Sequence, residues 1–568
     1  MTAGRRWYPL AVEPVAIRGK VVKQLVDPLA GPKVALGGRI VTMDDQFTVR
    51  KDGVLFLENG VIVAVRGRGH SIPAGFEAVP IVETNGTIFP GLIELHNHLS
   101  YGALPLWAPV PKRFTNRDQW GRIADYRTLI SGPMTVIGKT PALLPALVRY
   151  VEAKCLLAGV TTTQGVRLAS NAGVVRYYRG LVRNAEQTDD PDLPEVDARI
   201  ADVVAKDAKS FLARVGKASG KKCILLHLSE GKDVAARKHF LALEVAPNEW
   251  AINDALAGIH AAALTAADFQ IMAERSGAIV WSPLSNLLLY GDTAAIADAK
   301  AAGIRIGLGS DWSPTGSKNL LGELKVAWLW SEKLGGLFSE REVVAMATRN
   351  GADILKWSKA LGSLEAGKRA DLLVIDGTSD DPYRALIRAT EKSVQLVMIN
   401  GVARYGITPL MEALSPGGEK IKVAGESRRL FLTQETADPD VRQVTLKTAT
   451  SQLKKAFRDI VKLARALEKP KKEAKRALDR PELTWTLALD EIHETGADLR
   501  PRLPFDGPND FTGPEIEAAK VAAGPLSSLL SPIVLDPLTV MDDAKFLDRI
   551  EAQPNLPDEI RTGLRGLY

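Results

Sequence analysis

A chain of 568 residues is too long for one ordinary core, and at roughly 150 residues per domain it holds about two to four units. With 46% hydrophobic and 25% charged residues it sits at globular averages, which excludes wholesale disorder, a collagen-like repeat and a coiled-coil rod. The formal charge of +6, from 73 Lys and Arg against 67 Asp and Glu, is too small over this length to name nucleic acid as a partner.

Only Cys155 and Cys223 are present, so neither a disulfide scaffold nor a Cys-rich zinc module is available, and a reducing, cytoplasmic setting is expected. The first residues, MTAGRRWYPLAVEPVAIRG, lack the uninterrupted apolar run of a signal peptide, and no run of ~20 apolar residues occurs elsewhere. Neither export nor a membrane span is expected.

Residues 34–82 give short β-rich pieces, KVALGGRIVTM, GVLFLENG and VIVAVRG, separated by Gly, Asp and Asn turn signals. This predicts a small antiparallel β unit within residues 1–85. The same texture returns within residues 361–410, in ADLLVIDG and SVQLVMINGVARYG, so the two segments could be halves of one β-sandwich. Between them, residues 86–360 alternate apolar runs of strand length with Ala- and Leu-rich stretches of helical period. The run ALAGIHAAAL, TAADFQIMAERSG, AIVWSPLSN, TAAIADAKAAG, IRIGLGSD reads β, α, β, α, β. An α/β fold of the parallel-barrel kind follows, with its working side chains at the C-terminal ends of strands; a doubly wound open sheet competes.

Residues 411–568 form a mostly helical C-terminal extension to which the sequence assigns no role. Within it, residues 441–480 hold 13 Lys and Arg against 4 Asp and Glu, while residues 481–568 hold 7 against 16. The halves could pair with each other or with a second subunit. Leu453, Phe457, Ile460, Leu463 and Leu467 are spaced to give the basic run one buried stripe.

Chemistry concentrates at four strand ends. In FPGLIELHNHLS, His96 and His98 are two apart, so on a strand both imidazoles face one side and can share an ion. His227 ends the apolar run of KKCILLHLSEG, and Glu230, three residues on, can reach a water as a proton shuttle or simply start a helix. His260 in LAGIHAAALT and Asp311 in IRIGLGSDWSPTG follow at steps of about one and two βα units. Imidazoles with one carboxylate make an N/O site for Zn, Fe, Mn or Co. His70, His239 and His493 fall outside these patterns, and the two cysteines read as buried apolar groups.

Taken together, PGLIELHNH, HLSE, GIH with AALT, SPLSNLLLYG, GLGSD and LGSLEAGKRADLLVID resemble the amidohydrolase superfamily, and within it the branch of cytosine deaminase and the triazine hydrolases. The resemblance covers residues 34–407. It implies a (β/α)8 TIM-type barrel with a β-sandwich assembled from the flanking segments, and one divalent metal ion, zinc first, held by His96, His98, His227 and Asp311. Glu230 would shuttle protons, His260 would hydrogen-bond the attacking water or the substrate's reacting atom, and Asp311 could also accept a proton. Binuclear relatives bridge two ions with a carboxylated lysine, for which this sequence has no convincing equivalent between His98 and His227.

The substrate side is less legible. Tyr101, Arg167, Trp281, Asn286 and Trp312 are the candidate contacts: Arg167 for an anionic or carbonyl group or else a salt bridge, the tryptophans for stacking or else core packing, Asn286 for substrate or else loop ordering. The resemblance implies an enzyme cleaving carbon–nitrogen bonds, other than peptide bonds, of a small molecule, of deaminase or amidase type, often as a homo-oligomer. Carbon–halogen or urea and carbamate hydrolysis on the same site is the alternative, and an inactive binding protein is another.

Overall fold

The computed structural model describes residues 29, 31–469, 484–489 and 525–568. The two flanking β segments meet in one nine-stranded sheet, in the order Glu419–Val423, Glu426–Leu430, Val402–Ile407, Val394–Ile399, Leu372–Asp376, Ile81–Pro90, Val34–Val41, Val49–Glu58, Val61–Gly67. Every pairing is antiparallel except that of Val34–Val41 with Ile81–Pro90. Strand alternation separates the faces: Leu372 and Val374 point into a core with Leu36, Leu55, Leu396 and Met398, while Leu373 and Ile375 pack on the rest of the molecule. Two of the strands come from beyond residue 410, so the sheet runs on into the C-terminal extension.

The middle of the chain supplies parallel strands joined by helices. Asp197–Arg199, Ile224–Leu228, Leu256–His260, Ala278–Trp281 and Arg305–Leu308 form one five-stranded parallel sheet. Leu92–Ile93, Val160–Thr163 and Arg183–Asn184 form a second of three. Backbone hydrogen bonds join the two sheets at both edges: Leu95 N to Leu308 O at 3.1 Å on one side, Val196 N to Ala185 O at 3.0 Å on the other. Leu225, Ala257, Ile259 and Val280 share a face by register and close on Ile93, Leu95, Trp357 and Leu361. Gly309 permits a close approach at the site, since a Cβ there would lie 2.5 Å from the Cβ of His96.

The extension is woven into this body. The basic stripe packs helix Leu446–Arg458 on Leu144–Leu157, with Arg149 donating to the Val444 and Val441 carbonyls at 3.0 Å each. Leu453, Phe457 and Ile460 are buried, Leu463 and Leu467 partly so, and the helix breaks at Asp459 before resuming as Ile460–Glu468. The remainder of the basic run lies outside the described residues, as do 490–524 of the acidic part. Residues 525–568 lie along the loops that leave the parallel strands. Asp536 accepts from Lys154 at 2.8 Å and from Lys318 at 2.6 Å, and Asp543 accepts from Lys318 at 3.0 Å, all four groups being buried. Gln553 exchanges hydrogen bonds with Val110 N and Trp107 O at 2.9 and 2.8 Å.

Helix Leu320–Lys333 buries two ionisable groups. Glu323 accepts from Leu284 N at 3.0 Å and from Ser317, and burial pushes its carboxyl up to about 8. Lys325 donates to the Ala389 carbonyl beneath the Tyr568 ring, 4.7 Å from its centroid, and burial pushes its ammonium down to about 7. Among the described residues no helix is long and apolar enough to cross a membrane.

Candidate metal centre

The strand ends converge as the spacing predicts. The His96 ring lies 4.9 Å from that of His98, 4.7 Å from His227 and 5.2 Å from His260. Asp311 Oδ1 lies 3.1 Å from His96 Nε2 and 3.4 Å from His98 Nε2, and Glu230 Oε2 lies 3.7 Å from His260 Nε2. All six are buried except His98, which is partly buried. His260 and Asp311 hold φ of +66° and +65°, a left-handed backbone that costs a side-chain-bearing residue on the order of 1 kcal/mol and that clusters at functional sites.

The hydrogen bonds on the far sides of the rings fix which nitrogens face inward. His96 Nδ1 lies 2.9 Å from Gln164 Oε1, and that amide is oriented by its own NH2 donating to Glu186 at 3.0 Å. An amide oxygen only accepts, so His96 carries a proton on Nδ1, and the neutral ring presents its lone pair at Nε2. His227 Nδ1 faces the Arg199 carbonyl at 3.4 Å, with the same consequence. In its neutral form, the one that can bind a cation, the His96 ring therefore turns a bare Nε2 on the Asp311 carboxylate 3.1 Å away.

Two buried acceptors turned on each other are unfavourable unless a cation lies between them. Ligand atoms of His96, His98 and Asp311 fall within 4.8 Å of one another, as do those of His96, His227 and His260. Imidazole nitrogens and a carboxylate suit Zn, Fe, Mn or Co, so the residues fit one divalent ion.

Burial pushes the His227 and His260 imidazoles well below their usual range, which keeps both neutral. Burial raises the Glu230 carboxyl, and Arg117 partly offsets this. Glu230 is held on both oxygens: Tyr290 donates to Oε1 at 2.7 Å, and Arg117 Nε lies 3.5 Å from Oε2.

Among the expected substrate contacts the structure divides. Tyr101 and Trp312 sit beside His98, with Trp312 ringed by Trp120 and Tyr126 at centroid distances of 5.5 and 5.9 Å. Arg167 instead is exposed on the hairpin strand Arg167–Ser170, paired with Tyr177, outside the cluster. Trp281 is a core residue, packed towards Phe338 with its Nε1 on Thr293, so its face offers no stacking surface. Asn286 is spent on His260, with Nδ2 3.1 Å from the ring's Nδ1.

Further residues support these groups. Gln164 follows the strand Val160–Thr163, and the strand-end rule that found the histidines applies to it as well. Ser285 supports Asp311, donating to Oδ2 at 2.6 Å. Arg117 and Trp120 come from the long connection after His98, where nothing in the local pattern marks them. His239 lies 3.9 Å from Asp202, His70 is exposed, and both cysteines are buried with thiols that burial pushes up. His493 lies outside the described residues.

The chain is 24% identical over 380 residues to the 5-methylthioadenosine/S-adenosylhomocysteine deaminase of Moorella thermoacetica, covering 59% of this chain and 86% of that one. Among solved structures it resembles an atrazine chlorohydrolase mutant from Arthrobacter aurescens with zinc and atraton, at TM-score 0.52 and 21% identity, covering 65% of this chain and 94% of that one. An adenosine deaminase from Xanthomonas campestris with bound zinc gives TM-score 0.50 and 19% identity, over 66% of this chain and 94% of that one. These likenesses identify a TIM-barrel-type fold carrying a β-rich domain. The Amidohydrolase family model matches residues 87–404, more than half of the sequence, and the chain belongs to that family.

Proposed function

We propose that this chain hydrolyses a carbon–nitrogen bond, other than a peptide bond, of a small molecule, in the manner of a deaminase or amidase. The observation that carries the proposal is the meeting of His96 Nε2 and Asp311 Oδ1, 3.1 Å apart, beside a tethered carboxylate, Glu230. The edge hydrogen bonds between the two parallel sheets support a closed (β/α)8 barrel within residues 86–360, with the site at its C-terminal rim.

His96, His98, His227 and Asp311 would hold one divalent ion, zinc by analogy with the solved relatives. When bound, such an ion lowers the pKa of water towards neutrality and polarises the reacting carbon–heteroatom bond. Glu230 takes a proton from the attacking water and passes it to the departing nitrogen, so that an amine or ammonia leaves. Tyr290 and Arg117 aim that carboxylate, and Ser285 aims Asp311. Tyr101, Trp312, Trp120 and Tyr126 form an aromatic cluster beside His98 against which the substrate would pack. The reading extends to a cytoplasmic homo-oligomer, in keeping with two reduced, buried thiols and an extension whose charge is split between its halves.

A screen of small amines, amides, ureas and halogenated heterocycles with the zinc-loaded chain, with mass detection of both products, tests the proposal. Release of ammonia or an amine is expected. Glu230→Gln should lower turnover on the order of 10²- to 10⁴-fold while retaining one metal per chain. Halide as the leaving group would replace the carbon–nitrogen reading, and undiminished turnover in Glu230→Gln would remove Glu230 from it.

A further inference from the structure

The structure assigns Trp281, Thr293 and Asn286 one shared role, as a one-way hydrogen-bond relay that locks His260 as a donor at Nε2 and thereby bars it from the metal. The relay begins at an indole. Trp281 Nε1 donates to Thr293 Oγ1 at 2.8 Å, and an indole N–H has no acceptor capacity. Thr293 therefore keeps its single proton for another partner, and Asn286 Oδ1 lies 3.3 Å away. With its oxygen turned to Thr293, the Asn286 amide presents its NH2 group to His260 Nδ1 at 3.1 Å. Nδ1 must accept, so the proton of the neutral ring sits on Nε2, which faces Glu230 Oε2 at 3.7 Å.

The reverse arrangement fails on its own terms. Were the amide flipped, Thr293 would face two donors, Trp281 and Asn286, and its hydroxyl hydrogen would have no acceptor in a pocket where Trp281, Asn286, Thr293 and His260 are all buried. A doubly protonated ring fails likewise, because it would set two donors against each other across the contact from Nδ1 to the amide NH2.

The contrast with its neighbours gives the relay its meaning. His96 and His227 point Nδ1 at oxygens that only accept, which frees Nε2 to bind a cation. Among these three rings, only His260 receives a donor at Nδ1. Of the three rings whose nitrogens could share an ion, His260 is thus the one excluded, although its distances qualify it. Its Nε2–H serves instead as a fixed donor to a lone-pair-bearing atom of the substrate, a carbonyl oxygen or an unprotonated ring nitrogen at the reacting carbon. That last step rests on the hydrolase reading above; the tautomer does not. Trp281, Thr293 and Asn286 are positioning residues, since they act through His260.

The test uses the full chain, zinc-loaded and labelled with 15N-histidine, and long-range proton–nitrogen correlation. The His260 signals are identified as those missing from His260→Gln. In the unaltered chain they should show a pyridine-type Nδ1 and a pyrrole-type Nε2. Asn286→Asp places a pure acceptor at Nδ1 and should invert that pattern. Thr293→Val removes the relay's hydroxyl without changing its shape, and both tautomers should appear. On whatever substrate the screen supplies, both variants should lower kcat on the order of 10²-fold with KM changed far less. A protonated Nδ1 in the unaltered chain overturns the proposal, as does an unchanged His260 pattern in a folded variant. If Asn286→Asp does not fold, the unaltered chain and Thr293→Val decide. A chain that shows these spectra but hydrolyses nothing keeps the relay and loses only its link to hydrolysis.

Discussion

Two buried polar arrays lie in this molecule, and their difference separates function from architecture. Where residues 525–568 dock, Lys154 and Lys318 face Asp536 and Asp543, so each cation has an anion and each proton an acceptor. At the rim of the parallel strands the balance differs: four imidazoles crowd around one carboxylate, with His96 Nε2 3.1 Å from Asp311 Oδ1. A complete network specifies a shape. A cluster of imidazoles around one carboxylate has instead the chemistry to hold a cation.

The sharpest way to break this comparison is at Asp311. Asp311→Ala should abolish turnover by about 10⁴-fold or more and drop bound zinc below one per chain, measured by elemental analysis alongside the activity assay. The matching cut in the other array is Asp536→Ala, which strands the Lys154 ammonium and leaves Lys318 with Asp543 alone. It should cost about 3–5 kcal/mol in denaturant unfolding, with Asp536→Asn falling between it and the parent. Stripping zinc with a chelator should lower stability by about 2.7 kcal/mol if free metal had stood near a hundred times its dissociation constant, read as a fall in Tm. The same chelator should leave the Asp536→Ala deficit in place, because the two arrays are independent. Smallest is Tyr290→Phe, which removes one hydrogen bond to Glu230 and should lower kcat about tenfold with metal content unchanged.

The convergence of these side chains was legible because strand-end histidines and an aspartate announce themselves by residue type and spacing, and the structure gathers His98, His227, His260 and Asp311 around His96. The substrate contacts were not, since tryptophan reads alike as core, as wall or as donor. Trp312 stands at the wall, whereas Trp281 turns its N–H into a relay. Arg167 follows a barrel strand in sequence, yet a hairpin paired with Trp485–Leu487 carries it into solvent. That pairing spans more than three hundred residues, beyond any local pattern. Arg117 was invisible for the same reason: its partners Glu230 and Asp202 come from other connections. The flanking β segments were readable from texture, but their merger into a sheet that takes two further strands from residues 419–430 was not.

Helix Leu320–Lys333 carries a consequence for the proton inventory of folding. Glu323 and Lys325 are both more comfortable neutral, with values of about 8 and about 7 against ordinary ones of 4.5 and 10.5. As pH rises from about 4.5 to about 7, the unfolded glutamate releases its proton while the folded one keeps it, so the pair's contribution to stability declines. From about 8 to about 10.5 the unfolded lysine holds a proton the folded one has shed, and stability recovers. Between these windows the uptake at Glu323 cancels the release at Lys325. Around neutrality, folding at this helix therefore amounts to handing a proton from a lysine to a glutamate, which leaves the chain's charge, and its sensitivity to small changes of pH, untouched.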